Sequence, residues 1–418
     1  MKLVDPVAAV RAIPDGATAV FPGGCAEPTL FYRAFSAEVE RFSRLTVCAG
    51  FSFGKYTYLA RGLGTNFRFV TWQASAQLRD LMRENDPRKI GFVPLRLSEL
   101  TNVVHRDGPI KPEVVVVQTS LPQSDGTVSL GISVGAYQDF IASSKLVIAE
   151  MNHHMPVTGG ASRVPLDRIA YAFESDEPLC TYATPPAKER DHAIVGHVLN
   201  LVPDAACVQL GIGAVPDRVL AQLAGKRGVR LFSGLLTQPV QTFLEAAPWS
   251  GEVIAGELAG DQAFYDFCGR ERRIVMAPTT VTHNVLGIAK IDRFVSVNSA
   301  LEIDLQGQSN GETIGPLQIS GVGGSMDYVD AAAFSRGGMS IIALPSTTDD
   351  GKRSKIVASL APGAVVTTPR FCTDYVITEY GVARLKGKDL HARAEALIGI
   401  AHPGFRDELA AGFEHALK

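Results

Sequence analysis

Long apolar runs, paired cysteines and an excess of either charge are all missing from this sequence. No stretch approaches the ~18–20 consecutive apolar residues that a membrane span needs, and the opening MKLVDPVAAVRAIPDG lacks the apolar core of a secretory signal. The six cysteines, at positions 25, 48, 180, 207, 268 and 372, stand far apart, with neither a CxxC pair nor zinc-ligand spacing. This argues against a disulfide scaffold or a metal site and predicts reduced, mostly buried thiols in a cytoplasmic protein. A formal net charge of −3 without a Lys/Arg cluster gives no footprint for nucleic acid. Neither nucleic acid nor a membrane is therefore an expected partner. What the chain does have is bulk: 418 residues, 46% of them apolar, enough for more than one core.

An internal repeat organises that bulk. Ile13-Pro14-Asp15-Gly16-Ala17-Thr18-Ala19-Val20 leads into Pro22-Gly23-Gly24-Cys25-Ala26-Glu27-Pro28, and Val202-Pro203-Asp204-Ala205-Ala206-Cys207-Val208 leads into Gly211-Ile212-Gly213-Ala214-Val215-Pro216. Each copy reads as a strand, a glycine turn and an amphipathic helix (LFYRAF, DRVLAQLA), the repeating unit of a parallel α/β sheet. Further strand-like runs recur in the same order: PEVVVVQTSL with RFVSVNSALE, then KLVIAEMN with MSIIALPS. The expectation is an α/β protein of two homologous domains, 1–184 and 185–418, each with a largely parallel sheet and flanking helices. The join is set near Tyr182-Ala183-Thr184-Pro185-Pro186, before the helical stretch AKERDHAIVGHVLNLV. A last helix is expected over FRDELAAGFEHALK.

Two turns have the composition of a ligand cradle. Gly211-Ile212-Gly213 follows the strand-like CVQL and opens a helix whose Pro216 sits in the first turn, where its missing N–H costs nothing. Such a turn offers backbone N–H groups and a helix N-terminus to an anion or oxyanion. Ser320-Gly321-Val322-Gly323-Gly324-Ser325 has three glycines within four positions, which allows close backbone approach. Asn298 ends a β-rich run, where an Asx turn is the plain alternative. A dinucleotide-binding reading of GIG is disfavoured, because GIGAVP lacks the third glycine and the acidic residue that should follow. His153 and His154 are adjacent and would point to opposite sides of a strand, and His283 and His402 are isolated. None of the four is a candidate ligand.

The runs VSVNSALEIDLQGQSNGETIG, SGVGGSMDYV, GGMSIIALPST, VVTTPR and DYVITEYGVARLKGK, with GIGAVPDRVL, AFYDF and AEMNHHMP upstream, resemble the acetyl-CoA hydrolase/transferase family over nearly the whole chain. That family includes 4-hydroxybutyrate and succinyl-CoA:acetate CoA-transferases. The resemblance implies coenzyme A, as an acyl-CoA substrate, and no metal. It implies further that Gly211, Ile212 and Gly213 lie close to the thioester carbonyl, and that the Gly321–Gly324 turn, through Gly323 and Gly324, donates to an oxyanion. Asn298 would sit beside the thioester, Glu379 would orient the catalytic carboxylate, and Lys352 would lie on the CoA side. A carboxylic acid is the implied second substrate and a homo-oligomer the implied assembly. The C-terminal domain would carry the CoA and thioester loops.

One departure stands out. Where the family has a glutamate nucleophile in a His-Ser/Thr-Glu-Met/Leu turn, this chain reads Phe232-Ser233-Gly234-Leu235, and Pro165 stands where relatives tend to have histidine. The family glutamate forms an anhydride and then a glutamyl-CoA thioester, chemistry that glycine cannot perform. The reading preferred on sequence is an acyl-CoA enzyme with an altered reaction: hydrolysis, decarboxylation or C–C cleavage. The first alternative is a CoA-transferase, acting by direct transfer or through a displaced carboxylate such as Glu257. The second is a non-catalytic acyl-CoA-binding protein. Glu27, Glu257 and Glu379 are the carboxylates to test as base. Phe51, Phe53, Trp72 and Phe232 are candidates for an acyl pocket.

Overall fold

A computed structural model describes every residue except Lys55, Asn85, Pro87, Trp249, Ser250, Leu417 and Lys418. The chain forms two compact units. One comprises Met1–Ala183, Gly234–Gln238 and Glu252–Thr282; the other comprises Thr184–Ser233, Pro239–Gly251 and His283–Lys418.

In the first unit, eight strands lie in the order Lys2–Leu3, Tyr171–Ser175, Leu146–Asn152, Val114–Thr119, Thr18–Val20, Leu45–Ala49, Phe67–Thr71 and Ile90–Phe92. Every neighbouring pair is parallel. Parallel sheets are covered on both faces, so their strands read as continuous apolar runs. Val114–Thr119 is such a run and is buried throughout. The core beside it is aromatic: Phe21 meets Phe31, Phe35 and Tyr58 edge-on at centroid distances of 5.3, 5.2 and 5.6 Å. Each such pair contributes about 0.5–1.5 kcal/mol beyond its buried area. Val253–Ala259, Ile274–Met276 and Gly159–Gly160 form a further parallel strip of this unit.

In the second unit the order is Gly381–Arg384, Tyr375–Thr378, Met339–Ala343, Phe294–Asn298, Cys207–Leu210 and residues 230–233, the first half of the strand Arg230–Thr237. All pairs are parallel except the terminal hairpin of Tyr375–Thr378 with Gly381–Arg384. The expected repeat is visible in this topology. Leu146–Asn152, Val114–Thr119 and Thr18–Val20 are consecutive in one sheet, as Met339–Ala343, Phe294–Asn298 and Cys207–Leu210 are in the other. The helices Thr29–Glu38 and Ala214–Gln222 follow the two glycine turns, and Glu189–Leu201 and Arg406–Ala416 fall within the stretches expected to be helical. All six cysteines are free, and four are buried.

Candidate active site

In open parallel sheets, ligands meet the chain beyond the carboxyl ends of the strands. In the second unit those ends carry most of the expected residues. Leu210 is paired with Val297, and Asn298 with Ile342, so the Gly211 turn and Asn298 leave the same edge side by side. The Gly211 N–H bonds the Val297 carbonyl at 3.0 Å. A methyl group placed on Gly211 would lie 3.8 Å from Asn298 Oδ1. Asn298 is held by a reciprocal amide pair with Gln209: Asn298 Nδ2 donates to Gln209 Oε1 at 3.2 Å and Gln209 Nε2 to Asn298 Oδ1 at 3.4 Å. Gln209 was not singled out in the sequence, although its polar side chain inside the buried strand CVQL was the available signal. Gly213, with φ 121° and ψ −179°, adopts backbone geometry closed to other residues and opens the helix Ala214–Gln222. Pro216 sits in its first turn as expected, and Ile212 is exposed.

The Gly321–Gly324 turn opens the helix Ser325–Phe334, which leads on from strand Phe294–Asn298 to Met339–Ala343. Gly323 has a φ of 57°. Among the described residues neither the Gly323 nor the Gly324 N–H makes a hydrogen bond. The turn is backed by His283: a methyl group on Gly324 would come within 2.3 Å of its Nε2. That ring is 5% exposed and lies 3.2 Å from Tyr328 Oη. Burial pushes its pKa down to about 3, so it is a neutral wall rather than a charge. Phe232, half-buried, packs against Phe294 at 6.4 Å.

Glu379 follows strand Tyr375–Thr378 and is fully engaged by one residue: Oε2 accepts from the Ser346 N–H at 2.9 Å and Oε1 from Ser346 Oγ at 2.8 Å. Lys352 is exposed on a turn whose N–H bonds Asp350. Its neighbour Lys355, not singled out in the same GKRSK run, is half-buried. Burial first, then Arg190, lowers its pKa, while Asp349 and Glu379 oppose the shift. The declined histidines are accounted for: His153 and His154 face separate carboxylates, Glu174 and Asp176, and His402 Nδ1 accepts the Gly404 N–H.

The first unit holds a second constellation, around Glu27 and Glu257. Glu27 is 5% exposed, and its Oε1 makes no hydrogen bond. Desolvation, reinforced by Cys180, pushes its pKa up to about 8. Glu257 lies on Val253–Ala259 with its backbone pinned: Val134 and Gly135 N–H both donate to the Gly256 carbonyl, and Leu258 N–H donates to that of Ile132. Its side chain keeps some accessible surface, yet protein surrounds it closely enough that desolvation raises its pKa to about 8, with Ser133 acting weakly the other way. Tyr137 Oη accepts the Gly23 N–H at 2.8 Å and feels both carboxylates. The Cys25 and Cys180 thiols lie near enough to act on each other's titration, which raises Cys25 and lowers Cys180. Tyr265 donates to the Cys180 carbonyl at 2.8 Å. Of the acyl-pocket candidates, Phe51 and Phe53 stack edge-on at 4.9 Å, Phe53 meets Tyr182 at 4.9 Å, and Trp72 is buried beneath Gly50.

Residues 1–181 match the N-terminal domain, and residues 260–413 the C-terminal domain, of the acetyl-CoA hydrolase/transferase family. Gly211, Gly234 and Glu257 fall between the two matched stretches. The chain is 35% identical to 4-hydroxybutyrate coenzyme A transferase from Clostridium kluyveri, an alignment covering 99% of this chain and 97% of that one. It is 32% identical to succinyl-CoA:cyclohexane-1-carboxylate CoA transferase from Geobacter metallireducens, over 98% and 94% of the two chains. Among solved structures, RipA from Yersinia pestis superposes with a TM-score of 0.93 at 28% identity, covering 100% of this chain and 98% of that one. With both domains and the full length accounted for, the chain belongs to the acetyl-CoA hydrolase/transferase family.

Proposed function

We propose that this protein is a CoA-transferase that moves CoA between an acyl-CoA and a carboxylic acid in the cytoplasm. The observation that carries the reading is the end-to-end similarity to named CoA-transferases, joined to the Gly211–Asn298 grouping and to the Gly323 and Gly324 N–H groups, which make no hydrogen bond among the described residues. Asn298 and the Gly211–Gly213 turn receive the thioester, and Gly323 and Gly324 donate to the oxyanion that forms when its carbonyl is attacked. Donors fixed in advance stabilise charge as it develops, each worth roughly 3–4 kcal/mol. This reverses the order preferred from the sequence, where Gly234 alone put a changed reaction first.

A second reading, hydrolysis or cleavage of the acyl-CoA, draws on that same glycine: this chain has no carboxylate at the position where the family's nucleophile is expected. The test is mass spectrometry of acyl-CoA mixtures incubated with the protein, with and without small carboxylic acids. New acyl-CoAs formed only when acids are present support transfer. Free CoA or a shortened acyl-CoA, formed without any acceptor, supports the second reading. No turnover of any thioester rejects both and leaves a binding protein.

A further inference from the structure

Position 234 lies on the strand Arg230–Thr237, and its surroundings contain a carboxylate of their own. A methyl group on Gly256 would come within 2.9 Å of the Gly234 carbonyl oxygen, so the chain passes directly alongside Gly234 one residue before Glu257. At two glycine turns the backbone comes up against the Glu257 carboxylate, where a side chain would have no room. A methyl on Gly135 would meet Oε1 at 2.3 Å, and one on Gly24 would lie 3.4 Å from Oε2. The residues that follow, Leu258 and Ala259, are buried, whereas Glu257 retains accessible surface. Among the described residues no cation pairs with it.

The other two carboxylates are less able to attack a substrate. Both oxygens of Glu379 are taken by Ser346. Glu27 is buried, at 5% exposed, whereas Glu257 is partly exposed. We infer that Glu257 is the nucleophile of this protein, supplying from the neighbouring strand the carboxylate that position 234 does not provide. The inference rests on the transferase reading.

The chemistry balances without any further reactant. A Glu257 carboxylate oxygen attacks the thioester carbonyl carbon; the C–S bond breaks, CoA leaves as thiolate, and a mixed anhydride remains. The thiolate then attacks Glu257 Cδ, breaking the Cδ–O bond of the anhydride and releasing the first acid as its carboxylate. What remains is a Glu257–CoA thioester. The acceptor carboxylate attacks that thioester, and the two steps run in reverse to give the new acyl-CoA. Glu257 attacks as its carboxylate, after its proton has gone to solvent; because burial raises its pKa to about 8, transfer should rise as pH approaches that value.

The test begins with the unaltered protein. It is incubated with an acyl-CoA without acceptor, reduced with borohydride, digested, and mapped by mass spectrometry. Reduction of a glutamyl thioester to the alcohol is expected at Glu257, and at no other glutamate. In parallel, Glu257→Gln is expected to lose transfer by about 10⁴-fold or more, the scale on which a covalent catalyst's removal is felt, while its thermal unfolding shows that it still folds. Reduction at another residue overturns the inference. So does full transfer by Glu257→Gln, or transfer by the unaltered protein with no reduced glutamate; in these cases the transferase reading survives. If the unaltered protein transfers no CoA at all, that reading fails first, and the inference falls with it.

Discussion

Gly324 shows how much a single missing side chain can carry. Its φ of −97° suits any residue, so the demand for glycine there is steric and not conformational. A Gly324→Ala methyl would collide with the buried His283 ring, displacing the N–H that the proposed mechanism aims at the oxyanion. Turnover is expected to fall about 10²–10³-fold, as for the loss of one oxyanion donor. Adding His283→Ala, which makes room for the methyl, should recover part of it. Steady-state kinetics of the single and double variants check both points. Glu27 makes a different statement, about pH. Its pKa is raised from 4.5 to about 8 by burial, so the folded protein holds a proton that the unfolded chain releases. Folding stability should therefore fall as pH rises from about 4.5 to about 8, and level off above that. Glu257, raised to about 8 for the same reason, adds to the slope. Cys180 and Tyr137 border the first carboxylate, Cys25 and Tyr137 the second, and none of them offers a positive charge. Thermal melts across this range should show the slope, and Glu27→Gln should flatten it; an unchanged slope would contradict the burial argument.

At the scale of elements, the strand–turn–helix unit at Cys207–Gln222 separates conformational from steric cost. Nothing lies within 4 Å of a methyl on Gly213, yet its φ of 121° is open only to glycine. Gly213→Ala is expected to cost about 1–3 kcal/mol by strain alone, and to raise KM for the acyl-CoA because the helix entrance shifts. Gly196 provides the contrast. It sits inside the helix Glu189–Leu201 with open space around it and no unusual φ. Gly196→Ala should stabilise by up to about 1 kcal/mol. Urea unfolding of the two variants should move in opposite directions.

Across the whole molecule, the duplication was legible because each copy writes the same local rule into the chain: apolar strand, glycine turn, amphipathic helix. Val114–Thr119 and Phe294–Asn298 could be matched by eye, and the sheets keep them in matching order. Gly211 and Asn298 could be named because each closes a strand-like run and the resemblance points to the same positions; that their strands pair came only from the fold. What could not be read was what folding gathers from far apart. Glu27, Tyr137, Cys180 and Glu257 form one neighbourhood from four distant segments, and no spacing rule links them. Nor does any linker composition announce that Gly234–Gln238 and Glu252–Thr282 return to the first unit. The Cys25–Cys180 contact was hidden in the same way, since distance along the chain says little about distance across a sheet.

The most direct test of CoA transfer is the fate of oxygen in ¹⁸O-labelled water. The protein is given an acyl-CoA and an unlabelled carboxylic acid, and both the released acid and the thioesters are weighed by mass spectrometry. Transfer passes oxygen only between carboxylates, so the released acid should carry no label while a new acyl-CoA accumulates. Labelled acid together with free CoA, and no new thioester, would mean that water attacks the acyl group and that the protein is not a transferase.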